Sequence, residues 1–346
     1  MRSYLRVAVV LLLAAGLVAL FLRNVDLRAV GREILHSSPG WLLLSLASMF
    51  ANLAIRSLRW RFLLEPLGRV SFANAFRATA VGFAASSVFP ARAGELIRPY
   101  FLSRRERVSA TGAFATVILE RVLDTLAVLV LLASFVILFG RQVEHTRPVA
   151  FEAVKWAGAS AGVLALVVLA VLFVLAGDPP RLARAMTRLE RVMPSALAGL
   201  VARIVEKFAD GLATIRRPKR LLIALAWSFP LWLTIAFGIW SISQAFRFGI
   251  PYAGSFLLIA LLVIGVAVPT PGAIGGFHEA FRFGVTTFFG VSQTGAVGAA
   301  LVLHAFSIGP SLVLGLFFAA QEGVNVVAMR RLAEDTERDR AGSGQR

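Results

Sequence analysis

The sequence predicts an all-α, polytopic transmembrane bundle. Three observations carry that prediction. Hydrophobic residues make up 58% of the 346 and charged residues 16%, with a mean hydropathy of +0.77. Three stretches, 156–177, 221–246 and 283–321, contain no Asp, Glu, Lys or Arg. Two further apolar regions, 73–102 and 253–290, are broken by proline, glycine and a few charges. Water cannot solvate so much apolar surface. A helix crossing the hydrocarbon core needs about 20 mostly apolar residues, because it rises about 1.5 Å per residue and satisfies its own backbone.

Full spans are expected at 7–22, 37–55, 113–139, 156–177, 221–243 and 295–320. The first follows Arg2 and Arg6 and has no small-residue cleavage signal before Arg23, so it reads as an uncleaved signal anchor. The broken regions behave differently. Phe89-Pro90 interrupts the first, and Pro269-Thr270-Pro271-Gly272 with Gly275-Gly276 interrupts the second. Proline removes a backbone donor and clashes with the preceding turn, while glycine permits dihedrals closed to other residues. Each region therefore reads as two short helices with a non-helical joint.

Basic residues set the expected topology. The formal charge is +17, which in a chain this apolar points to Arg-rich loops against anionic lipid and argues against nucleic acid as a partner. The insert 178–220 holds ten Arg or Lys, and the tail carries Arg330, Arg331, Arg338 and Arg340. Both are expected in the cytoplasm, as is the N-terminus. The stretch Arg56, Arg59, Arg61, Arg69 and the stretch Arg104, Arg105, Arg107 are placed there too. On that count 73–102 enters and leaves from the cytoplasm, and 253–290 from outside, as re-entrant hairpins. Within the insert, Leu182, Met186 and Leu189, then Leu197, Val201, Ile204, Phe208 and Leu212, fall at helical spacing. They fit amphipathic helices on the inner leaflet, or equally a cytoplasmic hairpin packed on the loops.

The hairpins share an ordered pattern. Val70-Ser71-Phe72-Ala73-Asn74-Ala75-Phe76 parallels Ile250-Pro251-Tyr252-Ala253-Gly254-Ser255-Phe256. Glu95-Leu96-Ile97-Arg98 parallels Glu279-Ala280-Phe281-Arg282, with Thr-Gly-Ala following 16 and 15 residues after the Glu. The expected organisation is one membrane domain, 1–325, with inverted repeats over about 37–140 and 221–320, and a polar tail over 326–346. Transporters use this plan, with broken helices meeting near the bilayer midplane.

Charges inside a membrane cost roughly 2.5–3.5 kcal/mol each on insertion scales, so few are kept without a role. If helical after Pro90, the first cluster sets Arg92, Glu95 and Arg98 on one face, where Glu95 can pair with both. Its surplus positive charge and helix N-terminus suit an anion, phosphate above all. Glu120 and Asp124, with Arg121, share a turn of the third span and are expected to face Arg92 or Arg98. The third cluster is Pro271, Gly272, Gly275, Gly276, His278 and Glu279, with Arg282 one turn on. Its glycines let backbone N–H groups approach a ligand. These thirteen residues are the candidate substrate-binding set. The same charges also fit ion pairs that lock the hairpins to the spans. His278 and His304 taken singly fit satisfied core histidines. There is no cysteine, and no catalytic triad, metal set or nucleotide-binding loop is recognisable, so no catalytic residue, metal or cofactor is predicted.

Ser87-Val88-Phe89-Pro90-Ala91-Arg92-Ala93-Gly94-Glu95-Leu96-Ile97-Arg98, Glu120-Arg121-Val122-Leu123-Asp124 and Pro269-Thr270-Pro271-Gly272-Ala273-Ile274-Gly275-Gly276-Phe277-His278-Glu279 occur in that order. In these motifs the chain resembles the flippase-like family, the transmembrane region of lysylphosphatidylglycerol synthases, over roughly residues 5–325. Phe277-His278 stand where the family commonly has a further glycine. The resemblance implies movement of an anionic or phosphate-bearing lipid, a phospholipid or polyprenyl phosphate, between leaflets of a bacterial inner membrane. It also leaves two alternatives: a membrane enzyme modifying lipid headgroups, or an accessory subunit that hands lipid to a lipid-modifying enzyme or glycosyltransferase.

Overall fold

The computed structural model describes residues 21–22, 26–89, 93–177, 207–268 and 270–321. The anchor at 7–22 apart from its last two residues, most of the insert, Arg92, Pro269 and the tail lie outside the described residues. Everything regular within them is helical: α1 (Leu27–Leu35), α2 (Pro39–Leu64), α3 (Phe72–Val88), α4 (Gly94–Ser103), α5 (Ala110–Thr146), α6 (Pro148–Gly177), α7 (Pro218–Ala245), α8 (Gly254–Val266), α9 (Gly276–Phe289) and α10 (Gln293–Gln321), with a 3-10 turn at Pro271–Ala273 before α9. Five helices, α2, α5, α6, α7 and α10, are long and apolar enough to cross a membrane. They coincide with the five expected spans that fall on described residues. The second runs nine residues past its expected end at 55, to Leu64, and that extension decides the site below.

Local chemistry fixes the helix starts. Asp26 accepts from the Arg28 and Ala29 N–H groups ahead of α1, and the Ser71 hydroxyl accepts from Asn74 N–H at the head of α3. Pro39 and Pro218 occupy first turns, where no backbone donor is missed. Gly290, at φ 67°, closes α9 in the left-handed region.

Helices α2 and α7 run antiparallel along a polar seam. The Ser38 N–H donates to Ala245 O at one end, and Arg220 pairs with Glu65 at the other. Between them Ser45 and Asn52 donate to the carbonyls of Gly238 and Leu231. A Cβ on Gly238 would come within 2.5 Å of the Met49 side chain, so glycine sets how close the two helices lie.

The broken regions fold back on themselves as α3–α4 and α8–α9. A Cβ on Gly94 would lie 1.7 Å from Gly82 O, and one on Gly276 would lie 2.2 Å from Gly265 O. Backbone meets backbone in both pairs through matching glycines. The pairs open at opposite ends of the bundle. Ser71 and Asn74, at the head of α3, bond Glu106 at the end where Arg220 meets Glu65. Arg147 donates to Thr287 O near the foot of α9, at the other end of α5. Their breaks meet inside: a Cβ on Gly272 would lie 3.4 Å from Ser87 O, and His304 of α10 bonds the Gly272 carbonyl.

Residues 207–217, within the described part of the insert, return to the bundle. Phe208, Leu212 and Ile215 join a buried cluster with Leu63, Leu119, Leu123 and Leu172. Gly211 lies against α5, where a Cβ would sit 2.2 Å from Gly112 O. In contrast α6 shows Val149, Trp156, Val163 and Val174 to its surroundings, as a helix at a lipid-facing edge does.

Candidate functional site

Five ionisable side chains from three helices are buried together: Arg56 and Arg59 of α2, Arg98 of α4, and Glu120 and Asp124 of α5. One turn of helix separates Arg56 from Arg59, and another separates Glu120 from Asp124, so each helix presents its pair on one face. The extension of α2 past residue 55 brings the arginines inside. From sequence alone Arg56 and Arg59 read as part of a flanking basic stretch, because four arginines fall within 14 residues. Both guanidinium groups are instead in the core of the bundle, and Arg59 is 0% exposed.

Arg59 makes three hydrogen bonds through its two Nη atoms, and its Nε is buried without a partner among the described residues. Its Nη1 donates to Asp124 Oδ1 at 2.6 Å and to Ser228 Oγ at 2.7 Å, and its Nη2 donates to Glu120 Oε1 at 3.3 Å. Arg98 Nη1 donates to the other oxygen of Glu120 at 2.7 Å. Glu120 therefore bridges α2 and α4. Trp232 Nε1, from α7, donates to Asp124 Oδ1 at 3.1 Å. Trp60 lies beneath Arg98, its ring 3.7 Å from Cζ, and is itself fixed by donating to Thr116 Oγ1 at 2.9 Å. An aromatic face under a guanidinium stabilises the charge and leaves the fork free along its edge.

Arg56 and Arg98 are less well satisfied. Arg56 Nη1 approaches Asp124 Oδ2 only to 3.5 Å, an ion-pair distance. Its Nε and Nη1, and Nε and Nη2 of Arg98, are buried without a hydrogen-bond partner among the described residues, and so is Asp124 Oδ2. Buried guanidinium N–H groups left unmet are costly, so a site that keeps them is suited to an acceptor that comes and goes. Three arginines against two carboxylates leave a formal surplus of one positive charge among the fully buried groups. Beside them Arg121, one-third exposed, lies 3.8 Å from Glu95 and 3.9 Å from Asp124.

The sequence-derived residues thus separate into two groups. Arg98, Glu120, Arg121 and Asp124 gather in the first, with Glu95 at its edge. Arg98 pairs with Glu120 rather than Glu95, because α4 starts at Gly94 and directs Arg98 toward α5. Arg92 lies outside the described residues. Arg56, Arg59, Ser228 and Trp232 complete the group and were not singled out as ligands. Ser228 and Trp232 sit a turn apart in a span that also holds Thr234, Ser241 and Ser243, so nothing in the sequence distinguishes them.

The second group surrounds the break between α8 and α9. Pro271, Gly272, Gly275 and Gly276 shape it, with φ of 59° at Gly272 and 88° at Gly275. The Gly275 N–H donates to His278 Nδ1 at 3.2 Å. Glu279 pairs with Arg282, Oε2 to Nη2 at 2.6 Å, and Arg282 also bonds Gln293 at 3.2 Å. Among the described residues no ion pair joins Glu279 or Arg282 to the first group. Three or more metal-ligating side chains are nowhere grouped among the described residues.

Long apolar helices enclosing a buried charge network define a polytopic integral membrane protein. The chain belongs to the lysylphosphatidylglycerol synthase TM region family, whose profile matches residues 5–315. It is also similar to a UPF0104 membrane protein of Methanocaldococcus jannaschii, at 31% identity over 116 residues, which is 33% of this chain and 34% of that one. The alignment thus spans about a third of the curated relative's length.

Proposed function

We propose that this protein carries an anionic, phosphate-bearing lipid headgroup between leaflets, as a flippase or scramblase of the inner membrane with both termini in the cytoplasm. The observation that carries this reading is the buried surplus of positive charge, with N–H groups of Arg56 and Arg98 that find no acceptor among the described residues. A phosphate supplies the charge and the acceptor oxygens that these guanidiniums lack. The lipid chains stay in the bilayer while the headgroup crosses through the bundle.

The arrangement of the two broken regions supports this. They open at opposite ends, meet at their breaks and use matching glycine crossings, as expected of re-entrant hairpins in an inverted repeat. Arg59, Glu120 and Asp124 would hold the frame, Arg56 and Arg98 would take the phosphate, and Glu279 with Arg282 would line the second approach.

The test is reconstitution in phosphatidylcholine vesicles with a fluorescent phosphatidylglycerol, scored by the rate at which inner-leaflet probe becomes open to an impermeant quencher. The wild-type protein should raise that rate, and Arg56→Gln should lower it at least tenfold. Equal rates for the two proteins would sink the reading.

A further inference from the structure

The second break is held by two imidazoles that the charge network does not use. His304, in the middle of α10, donates from Nε2 to Gly272 O at 2.8 Å. His278, in the first turn of α9, accepts at Nδ1 from the Gly275 N–H at 3.2 Å. A carbonyl only accepts and a backbone N–H only donates, so the backbone dictates both tautomers. His278 carries its proton on Nε2 and has Nδ1 committed as an acceptor. His304 carries its proton on Nε2 and keeps Nδ1 as a lone pair. The rings lie 4.4 Å apart by centroid. Phe21 and Phe277 close around them at 4.9 Å and 5.1 Å. The break they hold is strained, with Ala273 at φ 54°, and it abuts Ser87 at the end of α3.

The two rings respond to protonation differently. A proton added to His304 Nδ1 leaves its bond to Gly272 intact. A proton added to His278 Nδ1 removes the acceptor that holds the Gly275 N–H. It also sets a positive charge at the N-terminus of α9, where the helix dipole opposes it, and against the neighbouring ring. The charged groups facing the pair are few. On α9 itself Glu279 is neutralised by Arg282. Helix α8 has no ionisable residue, and α10 has only His304. Arg77 of α3 lies about three turns from Ser87, and Arg28, Arg32 and Glu33 of α1 are exposed.

We propose that His278 and His304 form a proton-binding latch that keeps the α8–α9 break in its observed conformation while His278 is neutral and loosens it when His278 takes a proton. The latch is a property of the fold and stands whatever cargo the bundle carries. Because it acts where the two broken regions meet, its ligand, the proton, has direct mechanical access to the centre of the molecule.

The chain has no cysteine, so one placed at the exposed Ile274 reports on the break alone. Spin-labelled Ile274→Cys protein in phosphatidylcholine vesicles should give a sharper, more mobile spectrum as pH falls from about 7.5 to about 4, across and below the ordinary imidazole range. Adding His278→Gln, whose amide oxygen accepts from Gly275 at every pH, should flatten the response. Adding His304→Gln, which keeps a donor for Gly272 but no second charge, should move the response to higher pH. An unchanged wild-type spectrum across that range would overturn the proposal, as would an acid response that survives His278→Gln. A His304→Gln response coincident with the parent would overturn the pairing of the two rings.

Discussion

Arg59 and Arg56 are one helical turn apart and do different work. Arg59 spends its fork on Asp124, Ser228 and Glu120, so removing a carboxylate strands a buried charge. Glu120→Gln or Asp124→Asn should lower stability by about 3–5 kcal/mol, the cost of breaking a buried pair from one side. Thermal unfolding in detergent would read it as a large fall in Tm. Arg56 meets Asp124 only loosely, so Arg56→Gln should leave Tm within a few degrees while lowering transport at least tenfold. The sequence displayed this chemistry unevenly. Glu120 and Asp124 stood out because they interrupt an apolar span at helical spacing. Arg59 did not, since an arginine at the end of a span and one buried in it look the same until a partner is known. Burial here comes from tertiary pairing with α5, which no local pattern encodes.

At the scale of elements, the paired short helices depend on the glycines where they cross. A methyl on Gly94 would overlap the Gly82 carbonyl, and one on Gly276 would overlap Gly265. Gly94→Ala and Gly276→Ala should each cost about 1–3 kcal/mol by overpacking, with transport lost before the fold. Gly40, with nothing near a Cβ, is the matched control, and Gly40→Ala should leave both Tm and rate unchanged. The mouth of the first pair is pinned by Glu106, which accepts from the Ser71 N–H and hydroxyl and from Asn74. Partial burial alone would raise this carboxyl, but those hydrogen bonds outweigh it and hold it below its ordinary value. A depressed carboxyl stabilises the fold above its unfolded pKa of about 4.3, and the contribution disappears as pH falls through the lower folded value. Glu106→Gln should therefore lower Tm at neutral pH, and the gap to wild type should close toward about pH 3. Glycine and proline marked the breaks plainly in the sequence. The glycine crossings stayed hidden, because Gly82 inside α3 and Gly265 in the last turn of α8 carry no local signal and only their partners reveal the reason.

For the whole molecule, five long apolar helices and two broken pairs form one bundle, with the charge network held inside it. The order of spans was legible from hydropathy, since each long helix lacks charges over most of its length. Orientation was read only from arginine-rich loops. The opposed mouths turn it into a labelling experiment. Arg104→Cys lies at the mouth of the first pair and Ser292→Cys at that of the second, and both positions are exposed. In sealed inside-out vesicles an impermeant maleimide should modify Arg104→Cys at least tenfold faster than Ser292→Cys, and right-side-out cells should reverse the order. Labelling of both from one side would contradict the proposed inverted arrangement.

Native mass spectrometry of the detergent-purified protein most directly reads whether the buried arginines take one anionic headgroup, as proposed. Wild type should retain anionic phospholipid in preference to phosphatidylethanolamine, and Arg56→Gln and Arg98→Gln should each lose that preference while remaining folded. Retention of the same lipids in the same proportions by all three proteins would contradict the proposal.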